Sequence, residues 1–366
     1  MIKTTNALRG IITATALTLG VFTNPVLAQE ENNARDSATT EQHDEHGETE
    51  KAFNATEVIL HHITDAHDWH ILEYTNDAGE EVPVSVPLPV ILLTNGNLDV
   101  FMSSGFHHGH DNVIKGDREY TLNHGHVEEI NGASVIDLSI TKNVASMILS
   151  AIIILLLFIS VARAYSKRKG LAPKGLQSFM EPIILFVRDD IAIPNIGEKK
   201  AGRYMPYLLT VFFFVWINNL MGLIPIFPGG ANLTGNISFT FVMAFLTFVI
   251  TQFSGNKAHW KHVFATPGVP VWLSPIMIPV ELIGLLAKPF ALMIRLFANI
   301  TAGHIIILSL ISLIFIFKSV AVAPIAVGFV LFMNVLELLV AALQAYIFTL
   351  LSALFIGSAV AEHEHH

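Results

Sequence analysis

The stretch 288–307, KPFALMIRLFANITAGHIII, carries an arginine inside a run otherwise apolar enough to sit in lipid. A guanidinium at the centre of a membrane helix costs about 2.5–3.5 kcal/mol on insertion scales, so Arg295 is expected to be used for something. The polar positions around it follow a helical order. Glu281, Lys288 and Arg295 are spaced by seven and Asn299 follows Arg295 by four, which puts all four on one stripe. His304 comes nine residues after Arg295, half-way round the helix, and therefore faces a different neighbour. Further on, Glu337 and Gln344 are again seven apart and share a face.

These residue types divide the chemistry between them. Arginine stays protonated at any working pH, so Arg295 is a fixed positive charge. His304 and Glu337 both titrate and can relay protons where water reaches them. A fixed cation beside a moving carboxylate favours its ionised form and makes it release a proton, while it repels a bare proton trying to pass straight through. That describes a gate. The bland alternative is that Arg295 snorkels and that His304 and Glu337 form a buried pair holding two helices together. The depth of Arg295 in its run, with Asn299 beside it, favours function. Lys288, near the start of its helix, is better explained by snorkelling. Asn218 and Asn219, in an earlier span, are candidate channel-lining residues that interhelical hydrogen bonding explains nearly as well.

The elements that must position these groups are two long helical stretches, about 279–317 and 324–360, joined at KSVAVAP. Each is on the order of 50 Å long against a hydrocarbon layer of about 30 Å, so a strongly tilted antiparallel hairpin is expected. Folded about residue 320 or 321, it sets His304 level with Glu337 and Arg295 within about a turn of Gln344.

The rest of the chain fits an all-α polytopic membrane protein of five spans with an exported, β-rich or disordered N-terminal extension. Of its 366 residues, 52% are hydrophobic and only 14% charged. The net charge of -9 hides a division: residues 29–142 hold 22 acids against 5 bases, and residues 143–366 hold 8 acids against 14 bases. Residues 1–28, with Lys3, Arg9, a short apolar core and Val26 and Ala28 before a cleavage point, read as a signal peptide rather than an uncleaved span. Residues 29–142 form an acidic, His-rich exported segment: polar to about 52, then short β-like runs separated by turn signals such as NGN and INGA. Eleven of the seventeen histidines lie in it, at 43, 46, 61, 62, 67, 70, 107, 108, 110, 124 and 126. A solvated His-rich surface explains them better than a metal site, because no ligand spacing stands out.

The remaining spans are expected near 144–164, 204–226 and 237–253. Basic residues follow the first (Arg163, Lys167, Arg168, Lys169, Lys174) and third (Lys257, Lys261), marking those ends as cytoplasmic, with an interfacial helix after the first span. The N-terminus is then exported, and the C-terminus, with its His-rich tail 361–366, is cytoplasmic. There is no cysteine for disulfides or thiolate metal sites, and no G-x-x-x-x-G-K-[ST] loop for nucleotide phosphates, so nucleotide chemistry belongs to a partner and no cofactor is expected.

IPVELIGLLAKPFALMIRLFANITAGH, with LQAYIF in the last helix and VWINNLMGLIP in the second span, closely resembles subunit a of the F-type ATP synthase membrane sector, over about residues 143–360. The resemblance implies a non-catalytic stator subunit in the inner membrane, with two offset aqueous half-channels facing a rotating ring of c subunits. It also implies a b-subunit peripheral stalk and a catalytic ATPase head as partners, and no nucleic acid. By matching motif, Arg295 corresponds to the essential arginine between the half-channels, and Asn299 and Gln344 to polar residues beside it. His304 and Glu337 correspond to the intake pair, and Glu281 to an acidic residue of the opposite half-channel. The long exported segment departs from the compact family pattern. Rival readings are a self-contained channel or secondary transporter, which would be expected to show internal repeats or broken helices not found here, and a non-transporting membrane scaffold, which leaves the Arg295 stripe without a reason.

Overall fold

The computed structural model describes residues 59, 64–75, 81–109, 111–123, 125–168, 171–224, 228–264, 271–317 and 322–361. All fall in one compact unit, residues 53–366. The expected signal peptide 1–28, the acidic stretch 29–52, the tail from 362 and His43, His46, His61, His62, His110 and His124 lie outside the described residues, as do the side chains of His70, His107 and His108.

Short alternating runs in the first part become eight antiparallel strands: β1 Asp68–Thr75, β2 Glu81–Pro87, β3 Pro89–Thr94, β4 Asn97–Met102, β5 Val113–Lys115, β6 Arg118–Asn123, β7 His126–Glu129 and β8 Val135–Asp137. They pair as β1-β2, β4-β3-β8 and β5-β6-β7. In β3 every second residue is buried, sending Val90, Leu92 and Thr94 inward, as a period of two dictates. Asn95 and Gly96, at φ 52° and 81°, close the β3-β4 hairpin with the left-handed pair that an Asn-Gly turn supplies. Val90, Leu92, Phe106, Tyr120 and Val127 form the core of this domain.

The rest is helical: α1 Lys142–Lys167, α2 Leu176–Phe186, a π-helical segment Val187–Ala192 leading into α3 Ile193–Ile196, α4 Glu198–Leu223, α5 Ile237–Ser254, α6 Lys257–Phe264, α7 Ser274–Phe317 and α8 Ala323–Val360. Five of these, α1, α4, α5, α7 and α8, are long and apolar enough to cross a membrane. Two boundaries differ from the sequence expectation. The helix expected from 204 starts at Glu198 and ends at Leu223, because Ile224, at ψ 113°, takes the extended backbone favoured before Pro225. The helix expected from 279 starts at Ser274 and keeps Pro279 and Pro289 in its interior, which membrane-spanning helices tolerate.

The second half of α8 explains how the bundle closes. Ala341, Ala345, Thr349, Ala353 and Gly357 are buried small residues at successive spacings of four, and they let its backbone approach its neighbours. Where α8 meets the segment before α4, a Cβ at Gly357 would collide with the Asn195 carbonyl. Hydroxyls link the helices: Tyr207 and Thr247 are 2.7 Å apart, and Thr247 and Ser352 3.4 Å. Around them Leu208, Phe213, Phe348 and Ile356 are essentially fully buried. The end of α8 is held by Lys200 Nζ, which donates to the Val360 carbonyl at 2.8 Å, and by Asn256 N, which donates to Ala359 at 3.1 Å.

Candidate functional site

The polar residues of α7 meet α8 in antiparallel register. Asn299 Nδ2 donates to Gln344 Oε1 at 2.8 Å. Four residues on, Gly303 lies directly against the Glu337 carboxyl, so closely that a Cβ there would collide with it. Both pairs have their midpoints between residues 320 and 322, within about one residue of the fold point expected from sequence.

Arg295 is exposed on the face of α7 turned away from the bundle, and its guanidinium has no hydrogen bond or ion pair among the described residues. Its row is made of small or polar residues that are also exposed: Gly284, Lys288, Ala291, Ala298, Asn299 and Ala302. On either side are bare apolar side chains, among them Leu286, Phe290 and Ile294 on α7 and Leu339 and Leu343 on α8. A small-residue row lets another helix come close, so the arginine stands in a surface shaped for apposition.

One-and-a-half turns or more from Arg295, toward the end of α7 nearest the β domain, the polar groups turn inward. Glu337 is 5% exposed, and neither of its carboxylate oxygens has a hydrogen-bond partner among the described residues. Burying an ionised carboxylate without partners costs several kcal/mol. Such a group is tenable there only if water, a proton or a moving partner reaches it. His304 is level with Glu337, but the two are not hydrogen-bonded to each other. Its ring faces α4 instead, with Nε2 3.7 Å from the position a Cβ would take at Gly222. The expected pair is thus two neighbouring but separate stations: Glu337 of α8 lies against Gly303, while the ring of the next residue on α7, His304, is turned toward α4. The α4–α5 loop covers this region: Thr301 Oγ1 donates to Gly235 O at 3.4 Å.

At the opposite end, Glu281 Oε2 lies 4.0 Å from His262 Nδ1 of α6. Lys288 sets its ammonium 5.7 Å from the Phe355 ring centroid, a cation-π contact. Nearby His259 approaches Gln252 Oε1 at 3.4 Å. Burial, reinforced by the positive charge of Lys288 and by His262, pushes the His259 imidazole below its ordinary range. Glu281 and Arg295 are fourteen residues apart on α7, about 21 Å along its axis.

Asn218 and Asn219 are both buried on α4. Asn218 Nδ2 donates within its own helix to Phe214 O at 2.7 Å, and Asn219 Nδ2 donates to Ala341 O of α8 at 3.3 Å, while each Oδ1 lacks a partner among the described residues. Asn219 therefore makes the interhelical bond weighed from sequence. Among the described residues no three His, Cys, Asp or Glu side chains come together as metal ligands. One histidine of the β domain, His67, holds Asp137 at 2.7 Å. Burial alone would raise the Asp137 carboxyl, but hydrogen bonds from His67 and Ser139 outweigh it and bring it down to about 2.

Sequence reasoning missed Gly303, the small-residue row and His262. A glycine one position before His304 and the Gly/Ala recurrence at three- and four-residue steps were the available signals. For His262 the sequence offered none, because the contact joins separate helices.

Fold and site define a polytopic helical membrane protein whose charged and amide side chains are concentrated on its last two, unusually long helices. Known proteins of this kind supply the family. Residues 144–357 match the family described as ATP synthase A chain, and this chain belongs to it. ATP synthase subunit a of Chloroherpeton thalassium is 51% identical over 233 residues, covering 63% of this chain and 69% of that one. The subunit a of Anaeromyxobacter sp. is 48% identical (66% and 61% covered), and that of Myxococcus xanthus 47% (66% and 80% covered). Residues 58–146, the β domain, match a family described only as a domain of unknown function.

Proposed function

We propose that this chain is the proton-translocating stator subunit of an ATP synthase membrane sector. Protons from the exported side pass by way of His304 and Glu337 to a carboxylate on the adjoining ring of c subunits. After nearly a full rotation that carboxylate meets Arg295, releases its proton, and the proton leaves past Glu281 to the cytoplasm. Asn299 and Gln344, hydrogen-bonded beside the arginine, position the gate. Asn218, Asn219 and Lys288 border the two paths.

The observation that carries this reading is the isolated charge of Arg295 on an exposed small-residue row, between a buried polar station on one side and an acidic station on the other. An always-charged group there blocks a continuous proton wire while discharging a passing carboxylate. Each elementary charge gains about 2.3 kcal/mol per 100 mV, and the ring sums several such steps. The chain itself catalyses no reaction on nucleotide. That belongs to the attached head, which a peripheral stalk of b subunits holds against rotation. The basic loops after α1 and α5 support an inner-membrane topology with the mature N-terminus exported and the C-terminus cytoplasmic.

The test is ATP-driven acidification of inverted vesicles carrying Arg295→Ala, with passive proton leak measured after the head is stripped. Loss of pumping with normal assembly and a raised leak is expected. Unimpaired pumping would reduce Arg295 to a structural role.

A further inference from the structure

The β domain is absent from the stretch that matches the subunit a family, yet it is fastened to the membrane body at a particular place. A short strap, residues 64–69, makes the fastening. Asp65 caps α1: Oδ1 accepts from Asn143 N at 3.1 Å and Oδ2 from the Thr141 hydroxyl at 2.8 Å. Lys142 N donates to Ala66 O at 2.8 Å. His67 then grips Asp137, and two residues later Trp69, only 4% exposed, donates its indole N–H to Gly229 O of the α4–α5 loop at 3.0 Å.

That loop needs outside support. Its glycine pair, 229–230, has little backbone preference of its own, yet Ala231, Asn232, Leu233 and Thr234 are each at most 5% exposed. Gly230 N ties back to Met221 O at 3.1 Å, and Gly235 O takes the Thr301 hydroxyl. Ala231 O and His304 Nε2 lie 3.4 and 3.7 Å from the position a Cβ would take at Gly222. The Trp69 indole thus holds one end of a segment whose other end meets Thr301 and whose Ala231 carbonyl comes close to Gly222, the residue beside His304 Nε2.

We propose that Trp69 is a positioning residue for proton intake: through Gly229 it fixes the α4–α5 loop as a roof over His304, and this is what the β domain contributes to the membrane sector. The inference rests on the proton path proposed above for the role of His304. Removing the N–H leaves a buried carbonyl unsatisfied and frees the loop to move.

The chain has no cysteine, so Thr301→Cys gives a single reporter beneath the roof. In the assembled synthase in membranes, its modification by a small charged methanethiosulfonate from the exported side is timed with and without Trp69→Phe, which keeps an aromatic ring. Modification about tenfold faster in the double variant, with slower ATP-driven acidification, is the expected result. An unchanged rate in assembled complex overturns the proposal. If Trp69→Phe does not assemble, the Thr301→Cys complex is titrated with urea: labelling that rises in step with protease cleavage of the β domain supports the latch, and labelling that stays flat through that cleavage overturns it. The labelling rate reports the roof whatever passes beneath it, so failure of the proton path, seen as normal pumping by Arg295→Ala, is distinguished from failure of the latch.

Discussion

At the scale of single residues, the site separates a charge that cannot titrate from groups that can. Replacing Arg295 with lysine keeps the charge but introduces a group that can lose its proton and lacks the planar fork. Arg295→Lys is therefore expected to lose most ATP-driven acidification despite normal assembly. His304→Ala and Glu337→Gln should each slow pumping by roughly a hundredfold, the usual scale for a lost proton-transfer group. Normal pumping in both assembled variants would remove the intake assignment. Outside the membrane, Asp137 is depressed to about 2 from an ordinary 3.8, so the stability it lends the β domain is fully present above about pH 4 and is lost as pH falls toward 2. Solvent screening leaves about 1 kcal/mol. Asp137→Asn should remove that acid dependence, read as the urea midpoint for protease cleavage of the β domain at pH 5 and pH 3.

At the scale of elements, α7 and α8 decide what the residues can do. At 44 and 38 residues they run about 66 and 57 Å, far longer than an upright span requires. Their register depends on close contact at Gly303, where any side chain must displace the Glu337 carboxyl. Gly303→Val is expected to cost about 1–3 kcal/mol through overpacking and to lower the thermal stability of the purified complex. An unchanged melting temperature would show that the hairpin opens there without penalty. On α8, buried small residues against α4 and α5 leave the opposite side, with Leu338, Leu339 and Leu343, uncovered.

At the scale of the whole molecule, that uncovered side continues across α7 around Arg295. Apolar faces of this extent suit lipid, but a fixed charge among them calls for a partner that brings a carboxylate. The chain solubilised alone in mild detergent is accordingly expected to self-associate on size-exclusion chromatography, whereas chain extracted with a ring of small subunits elutes as one defined complex. Elution of the lone chain as a stable monomer would argue against the face as an interface.

Helix periodicity made the hairpin legible because membrane helices leave their backbone no alternative partners. The seven-residue spacing of Glu281, Lys288 and Arg295 and the half-turn offset of His304 were therefore enough to place two polar sites, and the Asn-Gly pair at 95–96 was enough to place a turn. Tertiary structure alone decided the rest. It set Gly303 rather than His304 against Glu337, brought His262 to Glu281, and joined Trp69 to Gly229 across 160 residues. The reason is physical: local spacing determines which way a side chain points on its own element, but only the packing of elements determines what it meets.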